Sequence, residues 1–151
     1  NRDEKTGSEM SEAIQRYVLD TSAWLALIED EPGGELVQGI LEKARMGEAL
    51  VLVSFMSFME VYYITLQEKD QNEAQARVDL MAGLPVLRIE STEELAQLSG
   101  ELKANHHVSV ADAWIAALAK DRNAILVHKD PEFEPLESMI EVLKLPYKTG
   151  S

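Results

Sequence analysis

Tyr17-Val18-Leu19-Asp20-Thr21-Ser22-Ala23-Trp24-Leu25-Ala26-Leu27-Ile28 is the stretch that decides the fold. Tyr17-Val18-Leu19 is short, apolar and β-prone, the pattern of a buried strand. Asp20 ends it, Thr21 and Ser22 offer capping hydroxyls, and Trp24 to Ile28 reads as the start of a helix. A strand that passes straight into a helix opens an alternating order, and the rest of the chain keeps it. Pro32 suits the first turn of a second helix, which carries Leu36, Val37, Ile40, Leu41 and Ala44 at helical spacing. Leu50–Val53, Val86–Ile89 and Ala124–Val127 read as further buried strands, and Ile140–Leu143 as a fifth. Between them, Ser54 or Ser57 caps a helix with Met59, Tyr62, Tyr63 and Leu66 on its apolar side. Another helix spans Asn72 to Met81, stopped by Gly83 and Pro85. Ser91 or Thr92, with Glu94, caps a helix to about Lys103, and Ser109 caps one over Val110–Lys120. The strands are continuous apolar runs rather than alternating ones, which suits a parallel sheet covered on both faces.

Length and composition fit this reading. The 151 residues suit one domain, able to bury roughly two-thirds of the surface that its unfolded chain exposes. We place that domain over 10–148, with 1–9 an expression remnant or tail and 149–151 a second tail. Cysteine is absent, which removes disulfides, thiolate metal sites and cysteine nucleophiles, and agrees with a cytoplasmic location. No segment approaches the ~20 apolar residues that span a bilayer, so no membrane association is expected. The 27 acidic residues outweigh 14 Lys and Arg, giving a net charge of −13. That balance opposes broad electrostatic binding of nucleic acid, unless bound cations reverse the local sign.

Four acids stand apart from this solvated excess, because each meets an apolar segment: Asp20, Glu60, Asp112 and Asp130. A carboxylate in such company is rarely buried unless it is paired or binds a metal. Ligands of open α/β sheets bind beyond the carboxyl ends of the strands. Asp20 ends the first strand and Asp130 follows the fourth. Asp112 falls in a first helical turn, where the dipole favours negative charge, and Glu60 lies early in the helix after the second strand. Each has a bland alternative: a cap, a solvated helix-face acid, a dipole partner, a turn before Pro131. Their joint placement at one rim favours function. Clustered like charges repel strongly, and oxygen-only ligation suits Mg²⁺ or Mn²⁺. Such ions activate water and neutralise charge on a phosphoryl group in transfer.

Val18-Leu19-Asp20-Thr21-Ser22 resembles the opening motif of PIN-domain ribonucleases. Ser57-Phe58-Met59-Glu60-Val61 is similar to the second motif and Ser109-Val110-Ala111-Asp112-Ala113-Trp114-Ile115-Ala116-Ala117 to the third. Ile125-Leu126-Val127-His128-Lys129-Asp130-Pro131-Glu132-Phe133 resembles the fourth, including the aromatic three residues after the aspartate. The motifs occur in the family's order across about Tyr17–Tyr147. The resemblance implies a three-layer α/β/α domain with a five-stranded parallel sheet, and Mg²⁺ or Mn²⁺ held by Asp20, Glu60, Asp112 and Asp130. It places Thr21 and Ser22 as hydrogen-bonding supports of that site. It also implies cleavage of single-stranded RNA to 5′-phosphate and 3′-hydroxyl ends, and small single-domain members resemble VapC-type toxins, which dimerise and are silenced by a cognate antitoxin. A PIN-like interaction module with little or no activity is the alternative. One departure is His128, where many relatives have threonine or serine; contact with metal, water or phosphate is one reading, and a packing or surface role is preferred over it. His106-His107 reads as loop. Arg16, Lys43, Arg45, Lys103 and Lys129 are the candidates for holding RNA. Trp24, Tyr62 and Tyr63 read as core or dimer face, Trp114, two residues after Asp112, points away from it on the helix, and an exposed Trp24–Tyr63 patch would favour partner binding.

Overall fold

The computed structural model describes residues 14–148. The expected tails at 1–9 and 149–151 lie outside the described residues. In chain order the elements are β1 (Gln15–Leu19), α1 (Thr21–Ile28), α2 (Gly34–Arg45), β2 (Ala49–Ser54), α3 (Phe55–Glu68), α4 (Gln71–Gly83) and β3 (Leu87–Ile89). There follow α5 (Glu93–Asn105), α6 (Val110–Asp121), β4 (Ile125–His128), a 3-10 helix (Pro131–Leu136) and β5 (Val142–Lys144). The five strands form one sheet in the order β3-β2-β1-β4-β5, and every pairing is parallel.

The sheet is covered on both faces because its strands are apolar on both. Val18, Leu52 and Leu126 point into a core built with α5, α6 and the 3-10 helix. Their neighbours Leu19, Val51, Val53 and Val127 point the other way, into a core built with α1 to α4. This is the period of two that a strand imposes on its side chains, and it yields the three-layer α/β/α arrangement. Strand order reverses between β1 and β4, so the crevice beyond their carboxyl ends is the topological switch point where such sheets bind ligands.

Several local expectations change. The cap of α1 is Asp20 itself, with Thr21 the first helical residue. Pro32 precedes α2, which begins at Gly34 behind Gly33 in the left-handed region (φ 97°). A side chain at Gly34 would place its Cβ 2.6 Å from the Ala26 carbonyl oxygen, so glycine lets α2 start hard against α1. Ser54, not Ser57, caps α3. β5 begins two residues later than its apolar run, because Ile140 is drawn into the core beside Phe133 and Leu136.

The largest correction concerns the face of α3. Met59, Tyr63 and Leu66 are 50%, 42% and 44% exposed, while Ser57, Phe58, Val61 and Thr65 are buried. Apolar residues ring most of this helix, so periodicity alone does not fix its inward side. The small hydroxyls win because the helix packs closely there and both are bonded: Ser57 to Thr21, and Thr65 to Arg77. Trp24 is fully buried, so it forms no exposed patch with Tyr63. Trp114 is partly buried and meets Phe55 edge-on at 5.2 Å.

Candidate metal centre

Asp20 stands where β1 becomes α1. Its backbone N–H donates to the Val127 carbonyl (3.0 Å), the bond that joins the ends of β1 and β4. Its Oδ2 accepts from the Ser22 amide (2.9 Å) and from the Ser22 hydroxyl. The Ser22 hydroxyl oxygen accepts in turn from the Lys129 amide (2.9 Å). Ser22 therefore orients Asp20 and pins it to the β4 end.

The other acids arrive on three further elements. Glu60 is half-buried in the second turn of α3, and its Oε1 lies 2.7 Å from the Thr21 hydroxyl. That hydroxyl is also 3.0 Å from Ser57 Oγ. It has one proton, which goes to the carboxylate as the stronger acceptor, so Ser57 donates to Thr21. Asp112 is buried in the first turn of α6, and its N–H donates to the capping Ser109 hydroxyl (3.1 Å). Asp130 caps the 3-10 helix by accepting from the Glu132 amide (3.0 Å). Its own N–H donates to Nδ1 of His128 (3.1 Å).

Electrostatics at this rim run against ionisation. Burial is the main force on Asp20 and raises its pKa to about 7, with Glu60 and Asp130 adding repulsion and Ser22 opposing it. Burial raises Asp112 to about 9, helped by the charge of Asp20 and by a hydrogen bond with Glu132 that requires a protonated carboxyl. Glu60 is raised as well, by burial first and by the charges of Asp130 and Glu132. Among the described residues, Asp20 Oδ1 and Asp112 Oδ2 are buried and find no hydrogen-bond partner. A buried carboxylate oxygen without a partner is costly in a protein-only environment. A hard divalent cation would complete it, so the donor set fits Mg²⁺ or Mn²⁺.

Asp112, Asp130 and Glu132 each offer an oxygen within 4.8 Å of the others. Asp20 and Glu60 adjoin them, close enough to perturb and be perturbed. All four acids singled out in the sequence thus meet at one rim. Two further contributors lie outside the acids and hydroxyls singled out for this site in the sequence. Glu132 joins the cluster where the Asp130 side chain accepts from the Glu132 amide and turns the chain into the 3-10 helix; the Asp-Pro-Glu spacing was the available signal. Ser57, which read as a cap, supports Thr21.

His128 is fully buried, lies 5.0 Å from the Phe133 ring centroid and 6.4 Å from that of Tyr147, and sits 3.7 Å from Glu137. Burial lowers its pKa, keeping it neutral, and its Nδ1 is spent on Asp130. It packs, and it positions the Asp130 backbone. Lys129 is buried, donates to the Pro32 carbonyl (2.9 Å) and faces Glu31, so it is not free to hold RNA. Arg16 donates to the Arg122 carbonyl near the amino end of β1, and Arg45 pairs with Glu42. Lys43 and Lys103 are exposed. His106 and His107 lie at and beyond the end of α5 and join no cluster of candidate ligands among the described residues.

Comparison with known proteins agrees with this architecture. Residues 17–137 match the family described as the PIN domain. No curated protein sequence matches the chain. Among solved structures, the DNA-bound VapBC of Salmonella typhimurium is 18% identical at a TM-score of 0.71, over 87% of this chain and 98% of that one. VapBC-5 of Mycobacterium tuberculosis, a member of the VapBC family of toxin–antitoxin systems, is 19% identical at 0.62, over 85% and 98%. VapC20 of Mycobacterium tuberculosis, a sarcin–ricin loop cleaving toxin, is 19% identical at 0.62, over 86% and 99%. At these identities the structural likeness speaks for the fold.

Proposed function

The chain belongs to the PIN domain family, and on that ground we propose that it is a Mg²⁺- or Mn²⁺-dependent endoribonuclease that cleaves single-stranded RNA, and the toxin of a type II toxin–antitoxin pair. The observation that carries this reading is the convergence of Asp20, Glu60, Asp112 and Asp130 on one rim, with two buried carboxylate oxygens left unpartnered. A protein gains nothing in stability from that arrangement, and a cation-dependent reaction needs it.

In this reading Asp20, Glu60, Asp112 and Asp130 hold the cation, with Glu132 beside them. Ser22 fixes Asp20 and Thr21 fixes Glu60, supports of the kind that orient metal ligands. The cation would supply charge neutralisation and activation of the attacking water. It would also reconcile a net charge of −13 with an RNA substrate, because the acidic rim is attractive to phosphate only when the cation is present. VapC20, described as a sarcin–ricin loop cleaving toxin, is the structural neighbour that motivates a nuclease reading.

The partner reading rests on two surfaces. A groove of about 610 Å³ runs between α1, α2 and α4, lined by Leu27, Ile28, Leu41, Leu80 and Pro85 with Arg77 in its wall. Such a groove suits the apolar stripe of an antitoxin helix. The exposed Met59, Tyr63 and Leu66 on α3 suit a homodimer face. Among the described residues no helix is long and apolar enough to cross a membrane, and with the absence of cysteine we propose a cytoplasmic site of action and a single domain over 10–148.

The test is cleavage of single-stranded RNA by purified protein in Mn²⁺ or Mg²⁺. Cleavage that Asp20→Asn and Asp112→Asn abolish is expected. Robust cleavage in excess chelator, or unchanged activity in both variants, would sink the reading.

A further inference from the structure

A second cavity, of about 300 Å³, opens directly beside the acidic rim. Its near wall is Ser22, which holds Asp20, and Pro131, which follows Asp130. Leu25 of α1 and Ile64 of α3 supply apolar surface, and the half-buried Tyr147 ring supplies an aromatic one. Three carboxylates and two ammonium groups complete the lining: Glu29, Glu31 and Glu68, with Lys129 and Lys148.

Most of this charge is already spent. Glu29 is 3.1 Å from Arg77. Glu31 is 2.8 Å from Lys148 and 3.8 Å from Lys129. Glu68, the last residue of α3, is exposed and has no ion pair or side-chain hydrogen bond among the described residues. The cavity therefore presents an aromatic ring, two aliphatic side chains and one free carboxylate. A carboxylate repels phosphate, so the phosphate of a bound nucleotide would stay near the cation site. The same carboxylate only accepts hydrogen bonds, through two oxygens. Single-stranded RNA is read by stacking bases on aromatic rings and by hydrogen bonds to their Watson–Crick edges. Guanine alone offers two adjacent donors on that edge, N1–H and the 2-amino group, which match the two oxygens of a carboxylate. Adenine and cytosine pair one amino donor with an acceptor, and uracil flanks its single donor with two carbonyls.

We propose that this cavity is a base-selective subsite that takes a guanine flanking the cleaved phosphodiester, with Glu68 reading its edge and Tyr147 stacking its ring. The proposal rests on the nuclease reading above. The experiment is deep sequencing of the ends released from a randomised single-stranded oligoribonucleotide by the wild type in Mn²⁺. The same protein's binding to an oligoadenylate with or without one central guanosine is measured by fluorescence anisotropy in Ca²⁺. Guanine enriched at one position beside the cut is expected. Glu68→Gln, whose amide replaces one acceptor by a donor, should lower that enrichment by roughly tenfold without changing the melting temperature. Tyr147→Ala should raise KM with a smaller effect on kcat, and Tyr147→Phe, which keeps the ring, should restore it. Cleavage whose base preference is the same in Glu68→Gln overturns the subsite and leaves the nuclease reading standing. Absence of cleavage by the wild type removes the nuclease reading. The anisotropy then decides the subsite alone: a guanosine preference lost in Glu68→Gln supports it, and equal binding of both oligonucleotides overturns it.

Discussion

In metal-free protein at pH 8, Asp20→Asn should melt higher than the wild type. Asp20 is buried, and its folded-state pKa is raised from 3.8 to about 7. Below the unfolded value the carboxyl is protonated in both states and the substitution changes little. As pH rises, the unfolded chain ionises first, so folded stability falls until the folded pKa is passed and is level above it. About three units at ~1.4 kcal/mol each amount to about 4 kcal/mol. For a chain of this size that is on the order of 10 °C. Asparagine keeps an oxygen for the Ser22 amide, and its nitrogen takes the place of the partnerless Oδ1. The assay is thermal melting in chelator from pH 4 to 8. The variant's advantage should be near zero at pH 4 and full at pH 8. Added Mn²⁺ should then stabilise the wild type and leave the variant nearly unmoved. A variant that melts at or below the wild type at pH 8, or an advantage independent of pH, would show that the buried Asp20 carboxylate carries no such cost.

Three further outcomes follow from the contacts. Thr21→Val removes the hydroxyl that holds Glu60 while keeping the side chain's shape, and should lower cleavage by on the order of tenfold; it also strips the buried Ser57 hydroxyl of its acceptor, so thermal melting should show a loss of about 1–3 kcal/mol. Glu132→Gln should weaken Mn²⁺ binding by about tenfold in calorimetry, since Glu132 shares the cluster with Asp112 and Asp130. Arg77→Ala strips Glu29, Glu73 and Thr65 of a buried partner and should destabilise by about 3 kcal/mol in urea denaturation.

The sequence made the sheet legible because its strands are buried on both faces and so appear as unbroken apolar runs. Asp20, Asp112 and Asp130 were legible for a related reason: each interrupts or ends an apolar segment at a position that topology sends to one rim. What stayed hidden depended on contacts between distant elements. The inward face of α3 is chosen by Ser57 and Thr65, whose partners Thr21 and Arg77 lie on α1 and α4. No periodicity in α3 could reveal those partners. Lys129 looks like any basic residue beside an active site until the α1–α2 turn brings Pro32 and Glu31 to it. Glu132 was masked by the general acidity of the chain, and only the turn capped by Asp130 separates it from the solvated carboxylates.

Whether the acidic rim is a cation site is tested most directly by anomalous diffraction at the manganese edge from crystals grown with Mn²⁺. A peak is expected at the carboxyl ends of β1 and β4, within coordinating distance of Asp112 and Asp130. Crystals that bind no manganese there, with these carboxylates left facing one another, would contradict a cation site at this rim.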